Sequence, residues 1–190
     1  MKFPEPLQGW DEELLLAINS AHSPWLDQVM MAITGNLVWL PLYIILLVIL
    51  FKKFGWKVSA IILLSTAVVI TLTDQTSVNA FKERFMRLRP CHEGNLMAQL
   101  HMVKGCGGQF GFVSSHASNT FGVAIFLAAL LNNRWLSVIL VCWALTVSYS
   151  RVYLGVHYPL DVIGGAMLGS FIGCSAFVVF RFAIKRSNFG

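Results

Sequence analysis

Charge is scarce in this chain. Asp, Glu, Lys and Arg make up 12% of its 190 residues against 56% hydrophobic ones, and the mean hydropathy of +0.68 excludes an ordinary water-soluble domain of this size. No removable leader is expected either: before Trp25 no basic stretch is followed by an apolar core and a small-residue cleavage site. No repeat, low-complexity tract or flexible linker divides the sequence, which predicts a single domain over residues 1–190. Cysteine is sparse, four in all. Cys91, His92, His101 and Cys106 could be drawn as a zinc site, but adjacent ligands at 91 and 92 do not match the usual spacing. No metal, cofactor or nucleic-acid partner is expected.

What the chain has instead is long apolar runs. A bilayer's hydrocarbon layer takes roughly 20 mainly apolar residues per helical span. Five runs approach that length: Val29–Phe51, Val58–Phe81 (interrupted by Asp74), Ser114–Leu131, Trp135–Ser150 and Pro159–Phe180. The expected fold is therefore all-α, an integral membrane helix bundle of about five transmembrane helices. A shorter helix precedes them, with Trp10, Leu14, Ile18 and Ala21 on one face and Asp11, Glu12 and Asn19 on others, as in a helix lying at the membrane surface. Gly164, Gly165, Gly169 and Gly173 recur along the last run and predict close helix packing. Cys142 and Cys174, inside spans, read as small core residues.

Basic residues orient the bundle, because short cytoplasmic loops retain Lys and Arg. Lys52, Lys53 and Lys57, then Arg134, then Arg181, Lys185 and Arg186 fall in alternate turns and belong on one side. The acidic N-terminal segment, with Glu5, Asp11, Glu12, Glu13 and Asp27, falls on the other. So does the segment from Lys82 to Val113, where Lys82, Arg84, Arg87, Arg89 and Lys104 outnumber Glu83 and Glu93. That excess breaks the rule and points to a local anionic partner. Cys91 and Cys106 share this segment. An oxidising compartment would allow them to bridge, for a gain of about 3 kcal/mol, although sequence does not show that they meet.

Three clusters sit at the outward ends of spans. Lys82–Pro90, KERFMRLRP, offers Lys82 and Arg89 as phosphate ligands, a point charge and a planar fork of donors. Val113–Asn119, VSSHASN, opens a span with Ser114 and Ser115 as capping residues, whose free backbone N–H groups face an anion. His116 follows, suited to protonate a departing alkoxide. Ser150–Asp161, SRVYLGVHYPLD, sets Pro159 in the first turn of the last span. His157 then lies just outside that helix, and Asp161 is near enough to fix its tautomer and leave the other nitrogen free to attack. Arg151 adds positive charge. Asp74, an ionisable group in an apolar run, is expected to pair with an Arg near the site.

Taken together these clusters resemble the membrane type 2 phosphatidic acid phosphatase family, related to vanadium haloperoxidases and bacterial soluble acid phosphatases. That family's signature is Lys, six residues, Arg-Pro; then Pro-Ser-Gly-His; then Ser-Arg, five residues, His, three residues, Asp. It matches Lys82 to Arg89-Pro90, Val113-Ser114-Ser115-His116, and Ser150-Arg151 to His157 to Asp161. Val113 replaces the family's Pro and Ser115 its Gly, so any requirement for positive φ at 115 would strain the turn.

The resemblance implies a metal-independent phosphatase with His157 as nucleophile, Asp161 orienting it, and His116 as general acid. Lys82, Arg89, Arg151, Ser114 and the Ser115 backbone would hold the phosphoryl oxygens. Expected substrates are lipid phosphates: undecaprenyl pyrophosphate, phosphatidylglycerol phosphate, phosphatidic acid or lipid A phosphates. The expected location is a bacterial inner membrane, with the site on its periplasmic face. Two rivals stand beside this reading: a lipid phosphotransferase using the same residues, and a non-catalytic transport or scaffold protein on the same fold. Oligomeric state is left open.

Overall fold

The computed structural model describes residues 4–103 and 105–186. Lys104 and the side chain of Arg186, both counted in the charge pattern, lie outside the described residues. Eight α-helices follow in order: α1 (Glu5–Ser20), α2 (Pro24–Thr34), α3 (Leu40–Gln75), α4 (Glu83–Phe85), α5 (Gly94–Met97), α6 (Ser115–Leu131), α7 (Arg134–Tyr153) and α8 (Pro159–Arg186). The described residues contain no β-strand. Three stretches are long and apolar enough to cross a membrane: Leu37–Phe85, Arg134–Tyr153 and Pro159–Lys185. Helix α6 is apolar but shorter. The first stretch is broken at Gly55, whose φ of 70° and ψ of 171° divide α3 into two arms. Only glycine adopts that backbone without strain, and the turn falls among Lys52, Lys53 and Lys57. Large apolar side chains such as Ile44, Leu64, Met167, Phe171 and Phe182 face outward, as lipid-facing surfaces require. The chain is an integral membrane protein.

The first predicted span is corrected at its start. Residues 29–34 belong to α2, which ends at Gly35, and the Trp39 indole donates to Ile33 O across the break at 2.8 Å. Helix α1 forms where expected, but its polar side does not face water. Asp11, Leu15 and Asn19 are the buried residues, while Trp10 and Leu14 are exposed. Trp10 and Leu14 are left free for the membrane surface, Ile18 packs partly on the core, and the opposite face lies on the protein. There Asn19 donates to Tyr153 O (2.7 Å) and His101 O and accepts from His101 N, so its polar groups are satisfied rather than stranded.

The core is built where α6 meets α7, α8 and α3. Helix α8 approaches α6 so closely that a Cβ at Gly165 would lie 2.5 Å from Ser114 O, and one at Gly173 equally close to Gly122 O. A Cβ at Gly169 would collide with Ser118 O. Small residues four apart thus let two backbones touch, as the sequence pattern predicted. Cys142 and Cys174 are not core residues: both are exposed on the outer faces of α7 and α8, where a weakly polar thiol is tolerated against lipid. Lys53 donates to Leu131 O at the end of α6, so the first two basic turns lie at one end of the bundle. All three signature clusters lie at the other.

Candidate active site

Helix ends fix the site. Pro159 is the first residue of α8, which sets His157 in the bend after α7 and Asp161 in the first turn of α8. His157 is 1% exposed and Asp161 fully buried. Nδ1 of His157 faces Asp161 Oδ2 at 3.4 Å, a long contact, and the same oxygen accepts from the Tyr158 N–H at 3.1 Å. Burial pushes the His157 pKa down to about 4, against the raising effect of Asp161, with Arg89 and Arg151 lowering it further. Neutral imidazole is the form that carries a nucleophilic lone pair.

The start of α6 packs onto this turn. Ser114 N donates to Asp161 O at 2.9 Å, joining the second cluster to the third. Ser114 occupies the N-cap position but caps nothing with its side chain; its hydroxyl is buried without a hydrogen-bond partner among the described residues. Ser115 is not in the left-handed region, so the residue that replaces the family's Gly is unstrained. Its hydroxyl does something a glycine could not: Lys82 Nζ donates to it at 2.6 Å, and Ser77 Oγ lies 2.6 Å away. His116 is exposed, within electrostatic reach of Arg151, His157, Arg89 and Lys82.

Two arginines complete the cationic wall. Arg89 donates through Nη1 to Cys106 O (2.8 Å) and through Nε to Phe110 O (3.3 Å); burial lowers its pKa. Cys106 is bonded to Cys91, with Cα atoms 5.9 Å apart, which settles the open bridge and removes both thiols from any zinc set. Arg151 Nη1 donates to Thr34 Oγ1 at 2.5 Å, while its Nε is buried without a hydrogen-bond partner among the described residues. The structure therefore brings Lys82, Arg89, Ser114, Ser115, His116, Arg151, His157 and Asp161 to one end of the bundle.

Sequence reasoning missed two residues here. Arg87 was counted only as surplus charge, and Asp11 was assigned to a water-facing surface. Arg87 is 8% exposed and donates to Asp161 Oδ1 at 2.7 Å and to Asp11 Oδ2 at 2.6 Å. Its guanidinium also stacks 4.0 Å from the Tyr158 ring centroid. Asp11 accepts from Leu160 N at 2.8 Å, serving the free N–H groups at the start of α8 in place of a local cap. Burial raises the Asp11 pKa despite Arg87. Gly111 makes room for the assembly: a Cβ there would sit 2.7 Å from Asp161 Oδ2. Asp74 also departs from expectation. Among the described residues it forms no ion pair with an Arg, and its charge acts on Lys82 without a salt bridge.

The chain has known relatives. The sequence profile of the PAP2 superfamily matches residues 54–185. The chain belongs to that superfamily. Among PAP2-superfamily relatives, a lipid A 4'-phosphatase of Bacteroides thetaiotaomicron is 46% identical over 171 residues, 89% of this chain and 76% of that protein. An undecaprenyl-diphosphatase of Sulfolobus acidocaldarius is 30% identical, covering 86% of this chain and 75% of that one. A solved transmembrane PAP2 type phosphatidylglycerolphosphate phosphatase from Bacillus subtilis superposes with a TM-score of 0.70 at 25% identity, over 97% of this chain and 89% of the other. Aquifex aeolicus LpxE superposes with a TM-score of 0.57 at 27% identity, over 87% and 93%.

Proposed function

We propose that this PAP2-superfamily protein removes phosphate from a membrane lipid by a two-step displacement. The Nε2 lone pair of His157 forms an N–P bond as the bond from phosphorus to the lipid oxygen breaks, and His116 gives that oxygen its proton. Water then forms a new O–P bond and loses a proton to His116, and the electrons of the broken N–P bond return to Nε2. Asp161 holds Nδ1, so Nε2 faces the substrate. Lys82, Arg89, Arg151 and Ser114 stabilise the charge on the peripheral oxygens, which is the main demand of phosphoryl transfer.

The observation that carries this reading is the pair of buried, unused donors, Ser114 Oγ and Arg151 Nε, in a wall of cations around a neutral buried histidine. Orphaned buried donors cost stability, and an anion offsets that cost. Kinship with phosphatases of lipid A, undecaprenyl diphosphate and phosphatidylglycerophosphate supports a lipid substrate. The two arms of α3 together with α6, α7 and α8 give the five-span reading of one membrane domain. By the positive-inside rule the site faces away from Lys53 and Arg134. The Cys91–Cys106 bridge agrees with an oxidising compartment, as at the periplasmic face of a bacterial inner membrane.

The test is phosphate release from purified protein in detergent across the four lipid classes, with rapid quench of labelled substrate. Wild type should yield an acid-labile, base-stable phosphoenzyme and free phosphate; His157→Ala should remain folded and yield neither. Near-normal turnover in His157→Ala would overturn the nucleophile assignment.

A further inference from the structure

A cavity of about 570 Å³ opens beside His116, lined on one side by Ser115 and Asn119 of α6 and on another by Asp74 of α3. Its volume is that of a ligand headgroup rather than a single phosphate. Trp39, Tyr43 and Trp143 add an aromatic part to its lining. Tyr43 and Trp143 also line an adjoining apolar hollow of about 420 Å³ with Leu46 and Leu50. Asp74 is half-buried in an apolar helix, and its carboxylate makes no hydrogen bond or ion pair with the described residues. An intramembrane carboxylate of this kind calls for a partner or a function. Ser77 Oγ donates to the backbone oxygen of Asp74, not to its carboxylate. Lys82, the cation it influences, donates to Ser115 instead.

A lone anion in a cationic phosphate site is unfavourable to the transferred group, so its use lies with what leaves. In the mechanism proposed above, on which this inference rests, the leaving oxygen is the one protonated by His116, and the group attached to it extends into the cavity that Asp74 lines. A diphosphate would put a second phosphate there, like charge against like charge. A sugar headgroup would put neutral hydroxyl and amide donors there, with its ring against the aromatic lining.

We infer that Asp74 selects the leaving group: the site takes phosphate monoesters of an uncharged, donor-bearing headgroup of the sugar class and rejects lipid diphosphates. The test compares kcat/KM for an acylated glucosamine carrying a single phosphomonoester with that for undecaprenyl diphosphate in the same micelles, for wild type, Asp74→Asn, Asp74→Ser and His157→Ala. Wild type should favour the monoester. Removing one charge at this range should lower the monoester-to-diphosphate ratio about tenfold. A second readout uses inorganic anions as inhibitors: pyrophosphate should gain about tenfold on orthophosphate in Asp74→Asn, whereas a purely structural loss moves both alike. Unchanged ratios in folded Asp74→Asn and Asp74→Ser, or a wild type that prefers the diphosphate, overturns the inference. Full activity of His157→Ala would sink the mechanism, and the inhibitor ratio would still report on Asp74.

Discussion

Arg87 is the residue whose loss the structure ranks as most damaging outside the phosphate ligands. It holds two carboxylates, both with fully buried side chains, at 2.6 and 2.7 Å. Arg87→Met keeps the length of the side chain but strands Asp11 and Asp161 as buried charges. Breaking a buried pair from one side costs about 3–5 kcal/mol, mostly desolvation no longer compensated, and the lost stacking on Tyr158 adds about 1 kcal/mol. At about 2–4 °C per kcal/mol for a chain of this length, the unfolding midpoint in detergent should drop by about 8–24 °C. Scanning fluorimetry reads this directly.

The sign of the pH dependence is a second check. In Arg87→Met a stranded carboxyl has a folded-state pKa above its unfolded value near 3.9. The folded state then keeps a proton that the unfolded chain has released, so stability falls as pH rises through the folded pKa. The gap from wild type should be smaller at pH 5 than at pH 8. Asp11→Asn in the Arg87→Met background removes one stranded charge and should recover part of the loss. Arg87→Lys should not substitute, since one ammonium does not reproduce the planar fork that spans both carboxylates. Activity gives an independent readout. Asp161 freed from Arg87 no longer aims His157, and a misplacement of about 1 Å costs about 100-fold, in kcat more than in KM. An Arg87→Met variant within about 2 °C of wild type and with unchanged kcat would refute the account.

Two further outcomes are expected. Because burial depresses the His157 pKa to about 4, NMR titration of its assigned ring resonances should show neutral imidazole at pH 5 to 6; stability from this group is present above its unfolded pKa near 6.5 and lost as pH falls through 4. A titration at 6.5 or higher would contradict the burial argument. Gly169→Val should force α6 and α8 apart and lower the unfolding midpoint by at least about 3 °C, on an overpacking cost of about 1–3 kcal/mol, while Gly94→Ala, in open space, should change it little.

The apolar runs and the small-residue face of α8 were legible because each follows from local composition. The boundary at Gly35 was not, since α2 and the first arm of α3 are both apolar, and a one-dimensional pattern merges them. The residues proposed to face phosphate were legible for a different reason. Pro159 fixes where α8 begins, so the four-residue step from His157 to Asp161 has a single geometric meaning. The same holds for Ser114, which ends the incoming loop and starts α6.

Arg87 and Asp11 failed on an assumption about solvent. An amphipathic helix beside a membrane was taken to turn its apolar face to lipid and its polar face to water. In α1 Trp10 and Leu14 are indeed exposed, but the polar face lies on the protein, where Asp11 meets the first turn of α8. The helical repeat dictates which residues share a side but not what that side touches. Long-range ion pairs between residues 76 apart leave no local signature, so the support behind His157 becomes visible only once α1, the loop after α4 that carries Arg87 and the start of α8 are seen together. Asp74 shows the converse. Sequence marked it as anomalous and supplied it with an arginine, because a charge in an apolar run needs compensation. In the structure that compensation is not an arginine of the protein, and the cavity beside His116 is where a substrate group could supply it.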